Sequence, residues 1–233
     1  MQLPFFFEED IPSAGNLTLG EGTSKHVIQV LRMQEGEQIM ITNGKGELLT
    51  AQITTAHKKN TSVNIINRVY NDRPALKVSI AISLIKNANR FEWLLEKATE
   101  IGVSEIIPLV CSRTEKHQMK RSRMNTIITS ALLQSRQAWL PELREPVNFS
   151  DVVKSTQYSQ SFIAHCVKGE KKLISDFENN KSSRIILIGP EGDFTEEEIS
   201  LALENNFVPV SLGETRLRTE TAGLVAAVLL LNH

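Results

Sequence analysis

Cysteine is scarce in this chain. Only Cys111 and Cys166 occur in 233 residues, and neither has a second Cys or a His at metal-ligand spacing. His165 adjoins Cys166, but adjacent side chains rarely chelate one ion alone. This excludes a disulfide scaffold and leads to the expectation of no metal site, two free thiols and a reduced, cytoplasmic setting. Long apolar runs are lacking too. The longest, Leu224 to Leu231, falls well short of the ~20 residues a membrane span needs. The start, Met1-Gln2-Leu3-Pro4-Phe5-Phe6-Phe7, turns acidic at Glu8-Glu9-Asp10 and lacks the basic start and longer apolar region of a secretory signal. Charge of one sign is missing: 26 basic residues face 27 acidic ones, for a net charge of −1. A blanket polyanion binder is excluded, while a local basic face is not. What remains, 41% hydrophobic and 23% charged residues, is an ordinary globular composition in a chain long enough to bury a sizeable core.

The charge is unevenly spread. Arg113 to Arg123 holds five basic residues against Glu115 alone, and Glu191 to Glu204 holds six acids and no base. The first seventy residues also differ from the rest. They carry β-type runs at 38–42, 48–54 and 62–66, a short helix over Ser24 to Val30, and the hairpin signal Asn43-Gly44-Lys45-Gly46, whose residues tolerate positive φ. This is the pattern of a small β-barrel. Asn71-Asp72-Arg73-Pro74 is a turn-rich break. Beyond it, strand and helix patterns alternate. Strands are expected at 78–84, 105–110, 161–166, 184–188 and 208–212, and helices at 90–101, 124–137, 195–205 and 219–231. Such alternation predicts an α/β parallel sheet, and the expected domains are 1–72 and 73–233.

In open α/β sheets, ligands bind at the carboxyl ends of strands. Two such ends are glycine-bearing here: Ile188-Gly189-Pro190-Glu191-Gly192, and Leu212-Gly213 followed by Glu214-Thr215-Arg216-Leu217-Arg218-Thr219-Glu220-Thr221-Ala222. Thr195 with Glu198 three residues on reads as a capping box for the helix after the first loop. The three-glycine spacing of a dinucleotide fingerprint and the Gly-Lys-Ser of a phosphate loop are both missing. Either turn alone could be merely a tight strand-to-helix connection. The pair in succession, the second with two arginines, would build a backbone-lined pocket with cations beside it.

These two segments resemble the paired signatures of the ribosomal small-subunit RNA uridine-N3 methyltransferase family, within the SPOUT superfamily of knotted methyltransferases. The similarity continues in Phe91 to Val103, in Pro108-Leu109 with Arg113, in Gln134-Ser135 with Pro141, and in His26 with Val30-Leu31-Arg32. This chain departs from the family pattern at Asp193, Thr215, Arg216 and Gln137. The resemblance implies an N-terminal PUA-like β-barrel for RNA binding, a C-terminal trefoil-knotted α/β domain, a homodimer, and S-adenosylmethionine as cofactor. Cofactor contacts would fall on Ile188, Gly189, Pro190, Glu191, Gly192, Leu212, Gly213, Leu217, Arg218, Thr221 and Ala222. Uracil N3 carries a proton and is a poor nucleophile until it is lost. Arg218 is the candidate for stabilising the anion, with Glu191 or His165 as proton acceptor. Phosphate contacts to ribosomal RNA are expected from Lys25, Arg32, Lys86, Arg90, Arg113, Lys116, Lys120 and Arg121. The final helix, apolar nearly all round, must be buried in the core or against a partner. Two rival readings are a superfamily methyltransferase acting on another RNA site and a non-catalytic RNA-binding assembly factor.

Overall fold

The computed structural model describes residues 2–115, 117–155, 157–177 and 183–232. By contact the chain separates into two units. One runs to Arg73 and includes Leu132–Leu140; the other comprises Pro74–Ala131 and the chain from Pro141 onward.

The first unit is a curled five-stranded sheet. Its strands are β1 (Phe5–Phe7), β2 (Asn16–Thr18), β3 (Gln38–Thr42), β4 (Glu47–Thr55) and β5 (Ser62–Tyr70), in the order β1-β3-β4-β5-β2. Side chains alternate across a strand, so Ile39 and Ile41 of β3, Leu49, Ala51 and Ile53 of β4, and Val63 of β5 share one buried face. The expected β3–β4 hairpin is present. Asn43 Oδ1 accepts from the Lys45 N–H at 2.8 Å, and Gly44 and Gly46 have φ of 67° and 96°. The short helix differs from expectation. α1 (Glu21–Lys25) begins three residues earlier than the apolar spacing suggested, and a single π turn (His26–Val30) follows it. The wider turn brings only Val27 of its residues into the core, leaving Val30 65% exposed.

Leu132–Leu140 belongs to this unit, and the reason is local. Leu140 N–H donates to the Gly44 carbonyl at 2.8 Å, Trp139 Nε1 donates to the Asn71 carbonyl at 2.9 Å, and a Cβ at Gly46 would lie 2.6 Å from the Trp139 ring. The hairpin glycines thus serve both the turn and the close approach of this segment. Arg136, at φ 56°, donates to the Leu3 carbonyl at 3.2 Å and lies 5.3 Å from the Phe5 ring centroid.

The second unit is an eight-stranded parallel sheet. Its strands are β6 (Lys77–Ser83), β7 (Glu105–Val110), β8 (Glu142–Leu143), β9 (Val147–Asn148), β10 (Gln160–Ala164), β11 (Lys172–Leu173), β12 (Ser183–Ile188) and β13 (Val208–Ser211). The order is β11-β13-β10-β12-β6-β7-β8, with β9 beside β7. Its helices are α2 (Ala88–Glu100), α3 (Arg121–Ser135, its last turn in the first unit), α4 (Phe149–Ser155), α5 (Glu196–Glu204) and α6 (Thr219–Asn232). β6 and β12 are buried on both faces, as parallel strands between helical layers are. Ala81, Ile185 and Leu187 face Phe149, Val152 and Ile199 of α4 and α5. The opposite face receives α6, where a Cβ at Gly223 would come within 2.7 Å of Ile82 Cδ1. Only glycine lets the helix lie this close. Arg184, 2% exposed, closes the other end of α6 by donating to the Leu230 carbonyl at 2.8 Å.

The anticipated elements of this unit are all present within a few residues, and the Thr195–Glu198 capping box forms in both directions. α4 and the short β8, β9 and β11 carried no sequence expectation, being too short for a periodic signal.

Candidate active site

Strands β10, β12 and β13 are neighbours in the sheet, so their carboxyl ends open at one place. The loops that follow them, joined by the first turns of α2 and α6, enclose a cavity of about 710 Å³. Nine of the eleven cofactor candidates line it, from Ile188, Gly189, Pro190 and Glu191 to Leu212, Gly213, Leu217, Arg218 and Ala222. Gly192 and Thr221 do not. The Gly192 carbonyl instead accepts from Arg113 Nη1 at 2.7 Å.

The two glycines do different work. A Cβ at Gly189 would stand 3.2 Å from the Phe194 ring and backbone, so this glycine lets the loop fold over Phe194. Gly213 has φ 134° and open space where a Cβ would stand. Its requirement is conformational: a branched residue there strains the backbone.

The third strand end, after β10, was missed except for His165. It contributes Ala164, His165, Cys166 and Lys171. Asp193 holds it. Asp193 adopts φ 65°, a conformation Asp tolerates, and its carboxylate accepts from the Cys166 N–H at 2.7 Å and its neighbour Phe194's N–H at 2.9 Å. Lys171 Nζ donates to the His165 and Val167 carbonyls at 2.5 and 2.7 Å. Burial pushes the His165 imidazole below its usual range, the Lys171 ammonium adds to this, and Asp193 offsets only part of it. His165 is therefore neutral near pH 7, and its buried Nδ1 has no partner among the described residues.

Four cations border the cavity: Arg90, Lys171, Arg216 and Arg218. Arg218 is exposed, and no ion pair or side-chain hydrogen bond engages it among the described residues. The nearby Glu220 pairs instead with Arg90, whose Nε lies 3.5 Å from Glu220 Oε1. Glu191 is exposed and accepts from the Lys86 N–H at 3.3 Å.

The expected RNA contacts scatter. Lys25 and Arg32 are exposed on the first unit, Arg32 at φ 57°. On the second, Lys120 is exposed, and Lys86 pairs with Glu115 at 2.7 Å. Arg113 ties its loop to the Gly192 and Phe194 carbonyls, and Arg121 donates to Glu145 and to the Leu143 carbonyl. Lys116 lies outside the described residues. Both thiols are free: Cys111 is buried and, mainly by burial and then by Glu198, pushed up to about 12, whereas Cys166 faces the cavity.

At the opposite, amino end of the strands lies a closed polar cluster. Glu105, 3% exposed, accepts from Ser79 Oγ at 2.7 Å and from the Tyr158 hydroxyl, and its carboxylate is 3.0 Å from Lys77 Nζ. Burial alone would raise its pKa; the hydrogen bonds from Tyr158, Ser79 and Lys77 outweigh it and hold the carboxyl below its ordinary value.

Comparison with known proteins gives two family matches along the chain. A family described as "RNA methyltransferase domain" matches residues 72–231, and one described as "RNA methyltransferase PUA domain" matches residues 19–66. The chain is similar to the ribosomal RNA small subunit methyltransferase E of Synechocystis, at 33% identity over 90% of this chain and 71% of that one. Its Bacillus subtilis counterpart is 29% identical over 94% and 91%. The crystal structure of the Neisseria gonorrhoeae counterpart bound to S-adenosyl methionine superposes with a TM-score of 0.86 at 28% identity, covering 97% of this chain and 96% of that one.

Proposed function

Since this chain belongs to the RNA methyltransferase family, joined to that family's PUA domain, we propose that it methylates N3 of a uridine in small-subunit ribosomal RNA. It is an S-adenosylmethionine-dependent rRNA methyltransferase, as its relatives are named and as cofactor-bound structures among them are described.

The observation that carries the assignment to this site is the cavity formed by three successive carboxyl ends of one parallel sheet. The residues fit the cofactor. Ile188, Pro190, Leu212, Leu217 and Ala222 offer apolar surface for an adenine, and the glycine-bearing loops bring backbone amides and carbonyls to its edge and ribose. When bound, S-adenosylmethionine supplies a methyl carbon activated by a sulfonium. The chain's own residues must then deliver the uracil in line and deprotonated. Arg218, unengaged at the cavity edge, favours the uracil anion through its charge. Glu191 and neutral His165 are acceptors for the N3 proton.

RNA is held by phosphate contacts, with Lys25, Arg32, Lys86 and Lys120 the candidates that support this reading best. The protein acts as a homodimer in the cytoplasm. What supports the dimer is α6: Gly223, Ala226, Ala227 and Leu230 are buried, while Val228 is 40% exposed beside half-buried Leu224, Val225, Leu229 and Leu231. Val228→Asp should convert a dimer to monomer in sedimentation velocity at micromolar concentration. No helix among the described residues is long and apolar enough to cross a membrane.

The deciding experiment maps the methylated atom by mass spectrometry after reaction of the full chain with small-subunit rRNA. N3-methyluridine is expected. Methyl on a ribose oxygen or another base overturns the assignment. Absence of cofactor binding by calorimetry would favour the assembly-factor reading.

A further inference from the structure

Glu220 is the least comfortable carboxylate near the cavity. Its side chain is 9% exposed, it has a single cation partner 3.5 Å away, and its Oε2 is buried without a hydrogen-bond partner among the described residues. Leaving a buried carboxylate oxygen unsatisfied is unfavourable, and pairing a buried charge with one loose partner recovers little of its desolvation. Packing does not require it, since α6 is already fixed by Gly223 against Ile82 and by Arg184 at its far end. What Glu220 does is hold Arg90. That arginine comes from the first turn of α2, whereas the other cavity cations come from the loops after β10 and β13. Among the described residues it is the one cavity cation anchored by a carboxylate. The Lys171 ammonium is directed at two carbonyls, and Arg216 and Arg218 carry no ion pair among the described residues.

Uracil N3 is flanked by two carbonyls. When the N3 proton leaves, the negative charge spreads over O2 and O4, so full stabilisation needs a cation on each side. We propose that Arg90, positioned by Glu220, donates to one of these oxygens while Arg218 faces the other. This rests on the N3 reading above and extends it to base choice. Cytosine has an amino donor in place of O4, and a guanidinium facing it would oppose donor to donor. In the step itself, the N3–H bond breaks and its proton passes to the acceptor. The N3 electron pair forms the N–C bond, and the C–S bond breaks to leave the neutral thioether. Arg90 neither gains nor loses a proton; it lowers the energy of the anion. Glu220 is a positioning residue.

The test compares single-turnover methylation by the full chain, at saturating cofactor and RNA, on small-subunit rRNA transcribed with uridine or with 5-fluorouridine, whose N3 proton is more acidic. Arg90→Ala should lower the rate on uridine RNA ~10²-fold, the usual scale for one electrostatic stabiliser. The loss on fluorinated RNA should be clearly smaller, because an easier anion needs less help. Glu220→Gln should show the same substrate-dependent pattern. The double variant should be no slower than Arg90→Ala alone, and cofactor affinity should be unchanged by calorimetry. Arg90→Ala remains decisive if Glu220→Gln does not fold. Equal losses on both RNAs, or a raised RNA requirement with the saturated rate intact, would mark Arg90 as a phosphate contact and overturn the proposal while the N3 reading stands. A wild-type product other than N3-methyluridine overturns both.

Discussion

The two ends of the parallel sheet are made from the same strands and treated oppositely. At the amino end, the buried Glu105 carboxylate is met by Ser79, Tyr158 and Lys77, with Arg144 3.7 Å away. At the carboxyl end, among the described residues, His165 Nδ1 and Glu220 Oε2 lack hydrogen-bond partners and the Arg218 guanidinium has none, while Gly213 holds a conformation few residues adopt. Buried polar groups stabilise when their bonding is complete and destabilise when it is not. One end of the sheet therefore holds the fold together, and the other presents Arg218 and His165 to a cavity, where a cofactor and a base can engage them.

This contrast can be broken by substitution. The largest effect on stability is expected at the closed end. Glu105→Ala removes the acceptor shared by Ser79, Tyr158 and Lys77 and should cost about 1–3 kcal/mol in denaturant unfolding, as losing a buried hydrogen-bond partner does. Turnover per folded molecule should be retained, and a comparable loss of turnover would show that the ends are coupled. At the open end the pattern reverses. Arg218→Ala should lower single-turnover methylation ~10²–10³-fold with little change in melting temperature, and Arg218→Lys should rescue in part, lacking the planar fork. A normal rate in a destabilised protein would make Arg218 structural. Gly213→Val is intermediate: strain of roughly 1–3 kcal/mol at a positive-φ position should appear as weakened cofactor binding in calorimetry. Gly169→Val, at an exposed glycine without positive φ, should change nothing.

The smallest effect is one of pH. The Glu105 carboxyl sits below its ordinary value of 4.5 in the folded state. The unfolded chain therefore binds the proton more readily. The contribution is complete above the ordinary value and is lost as pH falls through the lower, folded value. Melting temperature should drop on acidification in that window, and Glu105→Gln should flatten the drop. An unchanged slope would locate acid sensitivity elsewhere.

Features visible in the sequence were those whose physical signal is local. The Asn43–Gly46 hairpin, the Thr195–Glu198 capping box, the apolar run of β12 and the two glycine-bearing strand ends each lie within a few consecutive residues. What stayed hidden depends on distant partners. Arg113 reads as an RNA-facing cation until Gly192, 79 residues away, accepts its hydrogen bond. Asp193 reads only as a departure from the family pattern until it meets Cys166. The third cavity wall was missed because no glycine marks the end of β10.

The order in which the cavity walls occur along the chain has a consequence for biosynthesis. Arg90 apart, every wall residue lies between Ala164 and Ala222, and α6, which carries the last of them, is the final helix described. A chain emerging from the ribosome has completed the first unit's hairpin and the β6–β7 pair long before any wall exists. The cofactor has nothing to bind on such an intermediate. Its stabilising effect acts by mass action only on the finished chain, and a truncated product cannot draw on it.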